Sequence, residues 1–178
     1  MRWIALCLLL SAQIATADDW EALAEPGTLA IMRHALAPGT GDPADFTLGD
    51  CRTQRNLDAR GQQQARAIGA AFRERGIGFD SVLTSQWCRT RETADLLDLG
   101  PVSDAVPLNS FFRDRSGRAR QTADTRALID ETEGRAMLVT HQVNISALTG
   151  EFTRSGEVLV IRPDGDSIEV VGRIMVAP

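Results

Sequence analysis

Only two histidines occur in the 178 residues of this chain, and each directly follows a short apolar run: "AIMRH" ends at His34 and "AMLVTH" ends at His141. Short apolar runs with polar or turn-forming flanks read as strands buried on both faces. A buried strand that ends in a titratable side chain delivers that group to one edge of its sheet. What separates the two runs is helical and turn-forming. Residues 56–76 carry Ala65, Ile68 and Phe72 at helical spacing, with Asp58 suited to cap the start and Gly76 to end it. A strand over 80–85 and a helix over 90–98 come next, then an irregular stretch over 105–120. A further helix is predicted over 121–134, with Gly134 as its stop. Two apolar runs within 156–174, joined by "PDGD", have the turn chemistry of an antiparallel hairpin. The alternation predicts an α/β fold: a three-layer α/β/α sandwich, its sheet mostly parallel, with the C-terminal hairpin at an edge. Ligands of such sheets bind beyond the carboxyl ends of the strands.

Residues 1–17 are expected to stand outside this fold. Arg2 precedes the apolar "WIALCLLL", and "ATA" before Asp18 has the pattern of a cleavage site, so the segment reads as a secretory signal peptide rather than an anchor. One domain over 18–178 remains, and a periplasmic or secreted location is expected. The net charge is −5 and no basic cluster tracks along the chain, which argues against nucleic acid and against a membrane surface as partners. With Cys7 in the leader, Cys51 and Cys88 are left. Their default in an oxidising compartment is a disulfide, with two free thiols as the alternative. The two cysteines and two distant histidines lack the spacing of a zinc site.

Three strand ends carry the candidate chemistry. Arg33 and His34 close the first strand, His141 closes the last parallel one, and Arg89 lies four residues past Ser85 at the end of the middle strand. Each alone is an ordinary surface or capping residue. Together they form a set suited to phosphate, because guanidinium forks match phosphoryl oxygens and an imidazole can attack phosphorus. Neighbouring guanidinium groups keep such an imidazole neutral, and a backbone carbonyl is the expected partner for its other nitrogen. No metal or cofactor is called for.

The motifs "MRHA" (32–35), "LDARGQQQARAIG" (57–69), "VLTSQWCRTRETA" (82–94) and "LVTHQ" (138–142) resemble those of the histidine phosphatase superfamily, with its phosphoglycerate-mutase-like fold. The resemblance implies that His34 accepts the phosphoryl group, while Arg33, Arg89 and His141 bind it and stabilise its charge. It implies a metal-independent phosphatase acting on a small phosphorylated substrate. The leader, the cysteine pair and "THQVNISALTG" resemble the small exported branch, which includes phosphatases proposed to act on heptose phosphates of the lipopolysaccharide core. A non-catalytic phosphate- or phosphosugar-binding module on the same fold is the alternative.

Two departures bear on chemistry. Ala35 replaces the glycine that follows the first histidine in the family, a change a small side chain tolerates. More consequential is Gln142, directly after the second histidine, where some members carry an acidic proton donor. Asp114 is the nearest carboxyl group at a suitable distance, and it also reads as a solvated loop residue between Arg113 and Arg115. A leaving group of low pKa needs less protonation. A Cys51–Cys88 bridge would pin the loop after the first strand beside Arg89. Gln54 and Arg55 then become candidate substrate contacts, or in the plainer reading they cap the first helix.

Overall fold

The computed structural model describes residues 19–176, so the predicted leader lies outside the described residues. Six strands form one sheet: β1 Leu29–Arg33, β2 Ser81–Thr84, β3 Val102–Asp104, β4 Ala136–Thr140, β5 Val158–Asp164 and β6 Ser167–Ile174. Their spatial order is β3-β2-β4-β1-β5-β6. The β3, β2, β4 and β1 strands run parallel, and β5 and β6 are antiparallel to their neighbours. The hairpin turns at Gly165, where φ is +53°, and places β6 at the edge. Four α-helices accompany the sheet: α1 Ala59–Glu74, α2 Cys88–Leu97, α3 Arg118–Glu131 and α4 Gln142–Thr149.

Side chains alternate across a strand, and here both sets are apolar because both faces are covered. Ala30, Met32, Met137 and Val139 pack with Ile68 and Phe72 of α1 and Leu97 of α2. Leu29, Ile31 and Leu138 face the other way, onto Ile129 of α3 and Ile145 of α4. Helices on both faces of a mostly parallel sheet are the three-layer arrangement expected from the sequence.

Local rules set the helix ends. Asp58 caps α1 by accepting from the Gly61 N–H at 2.9 Å, and Gly76 follows the helix with φ +67°. The third helix differs from the expected 121–134. It starts at Arg118 and ends at Glu131, and Gly134 takes its positive φ in the turn that leads into β4. Its first turn, Arg118–Gln121, has Ala119 as its one apolar residue and so shows no apolar period. Two short elements escaped the periodicity, the three-residue edge strand β3 and the eight-residue helix α4. Windows that short do not complete a pattern.

Candidate active site

The parallel strands all end at one edge of the sheet. Arg33 pairs in register with Thr140, and the next N–H, that of His34, donates to the Thr140 carbonyl at 3.0 Å. On the other side of β4, the Ser85 N–H donates to the Val139 carbonyl at 3.1 Å. This ladder brings His34, His141 and Ser85 to one place, and the two imidazole rings lie 5.6 Å apart. Arg89, the second residue of α2, reaches the same spot and is 2% exposed. Arg33 joins them, its Nη1 donating to the Thr153 carbonyl at 3.2 Å. Arg33, His34, Arg89 and His141 all line one cavity of about 430 Å³.

The hydrogen bonds fix the tautomers. His34 Nδ1 lies 2.7 Å from the Ala35 carbonyl, which can only accept, so the proton sits on Nδ1 and Nε2 carries the lone pair. Burial pushes the His34 pKa down to about 3, with the Arg89 guanidinium adding to the effect and the Ala35 hydrogen bond opposing it. His141 is held well below its ordinary value by burial first and by Arg89 second. Its Nε2 lies 2.8 Å from Ser85 Oγ, and its Nδ1 lies 3.4 Å from Arg89 Nη2. Arginine only donates, so this arrangement puts the lone pair on Nδ1 and directs Nε2–H to the serine. Both imidazoles are therefore neutral among cations.

The backbone just after His34 is tightly specified. The Ala35 N–H donates to Thr93 Oγ1 of α2 at 3.1 Å, and the Leu36 N–H donates to Gln64 Oε1 of α1 at 2.9 Å. Gly61 permits the close approach of α1. A Cβ there would stand 1.9 Å from the Leu36 carbonyl oxygen.

Asp42 went unread in the sequence, where it sits in a Gly- and Pro-rich loop with no periodicity. It is the one carboxylate lining the cavity among the described residues. Its Oδ1 accepts from Arg89 Nη1 at 2.7 Å and from the Arg55 N–H at 3.2 Å; its Oδ2 accepts from Arg89 Nη2 at 3.3 Å and from Trp87 Nε1 at 3.0 Å. Burial alone would raise its pKa, but hydrogen bonding and charge from Arg89 outweigh this and hold it below the usual carboxylate value. With every lone-pair direction engaged, Asp42 is an ionised anchor for Arg89 and a poor proton donor. Trp87 also stacks on Phe46 at 5.1 Å and packs edge-on against His141 at 5.4 Å, tying the loop to the site.

Other expected site residues divide. Arg55 lines the cavity, with Nε donating to the Gly41 carbonyl at 2.8 Å and Nη1 to the Ala37 carbonyl. Burial first, then Arg89, lowers its pKa to about 10. Gln54 lies away from the cavity. Its Oε1 accepts from the Cys88 N–H at 3.0 Å and its Nε2 donates to the Thr47 carbonyl at 3.2 Å, so its amide joins two segments of main chain. Cys51 and Cys88 are bridged. Asp114 caps the 3-10 turn Arg115–Gly117 by accepting from the Ser116 N–H at 2.9 Å, and it does not line the cavity. The plainer reading of Asp114 is the one the structure supports. Among the described residues, no group of three or more His, Cys, Asp or Glu is placed to hold a metal ion.

Residues 29–111 match the histidine phosphatase superfamily (branch 1). The chain is 37% identical over 65 residues to the mitochondrial serine/threonine-protein phosphatase Pgam5 of Drosophila grimshawi and to that of Drosophila virilis. Each match covers 36% of this chain and 22% of the relative, so the chain spans about a fifth of the length of these curated relatives. Among solved structures, the alpha-ribazole phosphatase of Shigella flexneri superposes with a TM-score of 0.57 at 18% identity, covering 80% of this chain and 94% of that one. The phosphoglycerate mutase of Thermus thermophilus gives 0.59 at 17% identity, over 84% and 99%. The protein histidine phosphatase SixA complexed with tungstate gives 0.54 at 19% identity, over 83% and 96%. At these identities the superpositions show a shared phosphoglycerate-mutase-like fold. The family resemblance drawn from the motifs holds.

Proposed function

We propose that this chain, which carries the histidine phosphatase superfamily pattern over residues 29–111, is a phosphatase that passes the phosphoryl group of a monoester through His34. The observation that carries the proposal is the neutral His34 ring. Its Nδ1 proton is committed to the Ala35 carbonyl, and its Nε2 lone pair is left free beside buried guanidinium groups.

In the first step Nε2 attacks phosphorus, the P–O ester bond breaks, and the leaving oxygen keeps the electron pair. Arg33 and Arg89 supply fixed positive charge for the phosphoryl oxygens in the transition state, so the cationic role falls to side chains rather than to a metal. His141 and Asp42 hold Arg89 in place from two sides. In the second step water attacks the phosphohistidine, the P–N bond breaks with its electron pair returning to Nε2, and the proton the water loses balances the one the leaving oxygen takes from solvent. The complex of the related-fold SixA with tungstate supports a cup of this kind accepting a tetrahedral oxyanion.

The engaged state of Asp42 limits the substrate. Among the described residues no free carboxylic acid lines the cavity, so substrates with a leaving group of low pKa, such as a sugar 1-phosphate, an anhydride or phosphohistidine, are favoured. An exported enzyme acting on a phosphosugar, a heptose phosphate included, is consistent with this chemistry and with the leader read from residues 1–17. The test is hydrolysis of p-nitrophenyl phosphate and glycerol 3-phosphate without added metal. Turnover of the first far above the second, lost in His34→Ala, is expected. Full activity in His34→Ala refutes the proposal. Phosphate binding without turnover of any ester favours the binding-module alternative.

A further inference from the structure

The cavity holds more positive charge than one phosphoryl group requires. Five arginines line it against one carboxylate, in a chain whose net charge is −5. At the His34 end, Arg33, Arg55 and Arg89 set against Asp42 leave a surplus of two positive charges. A phosphomonoester carries close to two negative charges at neutral pH, so that end is balanced by the group to be transferred.

Arg115 and Arg118 are the remaining two cations. Both are exposed, unlike the buried cup, and neither guanidinium meets a carboxylate among the described residues. The nearest acid in sequence, Asp114, is turned to the Ser116 N–H. The Arg115 guanidinium lies 5.7 Å from the Phe112 ring. These two arginines also line a shallow groove that adjoins the cavity and shares Ala147 with it, so they stand where the cavity opens outward.

Aromatic side chains share the lining of the cavity with these cations. Phe112 and Phe152 are 44% and 72% exposed, a high value for large apolar side chains, and both line the cavity. A volume of about 430 Å³ lies in the range of pockets that enclose a small organic ligand rather than a lone phosphate. Exposed aromatic faces beside unpaired guanidinium groups are suited to a ring with an anionic substituent.

We infer that the substrate is a small cyclic molecule with two phosphate groups: one transferred at His34, the other held by Arg115 and Arg118, with the ring lying against Phe112 and Phe152. The inference rests on the phosphatase reading and adds the substrate class. The second phosphate does not react. It anchors the far end of the molecule, so its effect falls on kcat/KM for the bisphosphate and not on the chemistry of the first phosphate.

The test compares two matched pairs, glucose 1-phosphate with glucose 1,6-bisphosphate, and adenosine 5′-phosphate with adenosine 3′,5′-bisphosphate. The readout is the ratio of kcat/KM, bisphosphate over monophosphate. In at least one pair the wild-type ratio should be about tenfold or more at low salt, and it should fall as ionic strength rises, because the anchoring cations are exposed. In the double variant Arg115→Gln/Arg118→Gln the ratio should collapse toward one. Ratios near one for both pairs in the wild type, or a preference that survives the double substitution, overturn the inference. Calorimetric titration of the same four ligands separates it from the phosphatase reading. If nothing is turned over but the bisphosphate still binds about tenfold more tightly, and only with both arginines present, the anchor stands and the phosphatase reading fails.

Discussion

Breaking the Cys51–Cys88 bridge offers a test whose size follows from the fold. The bridge closes a loop with a sequence separation of 37 residues. That loop holds the 3-10 turn Cys51–Thr53, all of α1 and β2. In the chain-entropy treatment a loop of this length destabilises the unfolded state by about 4 kcal/mol. The folded state has little need of the bond for its shape. Cys51 is exposed in a short 3-10 turn, and the two segments stay joined by the Gln54 contacts to the Cys88 N–H and the Thr47 carbonyl. The double variant Cys51→Ser/Cys88→Ser should therefore fold to the same structure with lower stability. With an m-value of about 2 kcal/mol/M, its urea midpoint should fall by about 2 M. The melting temperature should fall by roughly 8–16 °C for a domain of this size. Equilibrium urea unfolding followed by circular dichroism, with reduced wild type as the control, measures this. A midpoint shift below about 0.5 M refutes the entropic argument. So does a collapse of kcat/KM for p-nitrophenyl phosphate in variant protein that is still folded, because the bond would then be shaping the native site.

Three further outcomes follow from the site. Gly61→Ala should destabilise the protein by about 3 kcal/mol or more and cut turnover, since the added methyl group would stand 1.9 Å from the Leu36 carbonyl two residues past His34; wild-type stability in urea refutes this. Asp42→Ala removes the carboxylate from both Nη atoms of a buried guanidinium. It should cost about 3 kcal/mol of stability while tightening competitive inhibition by inorganic phosphate, whose charge no longer meets an anion; weaker inhibition contradicts the electrostatic reading. Finally, stability should fall with pH below about 6.5. The unfolded chain protonates its histidines near their ordinary value of 6.5, while folded His34 stays neutral down to about 3. The unfolded state thus binds more protons across that window. His34 alone should lower stability by about 2 kcal/mol between pH 7 and pH 5, and His141 acts in the same direction. An equal or higher urea midpoint at pH 5 rules this out.

Much of the frame was open to a reader of the sequence. The runs ending at Arg33 and Thr140 are apolar without alternation because their strands are buried on both faces. Ala65, Ile68 and Phe72 mark the buried side of α1 by their period alone. His34, Arg33, Arg89 and His141 could be gathered because parallel strands share a direction, so residues at equivalent strand ends share an edge. The reading stopped where side chains act across loops. Gln54 was a candidate contact because it precedes α1 beside a cysteine, and only the packed structure shows its amide held by the main chain.

By itself, then, the sequence determined the layers, the strand ends and the chemistry gathered at them, since burial and periodicity are local properties written into neighbouring residues. Tertiary structure alone decided that Asp42 holds Arg89, that Asp114 faces solvent, and that Arg115 and Arg118 look into the cavity that holds His34. Those residues lie in segments without period. Asp42 meets Arg89 across 47 residues of chain and Trp87 across 45. Such pairings depend on the path a loop takes over a finished core, which no short stretch of sequence encodes.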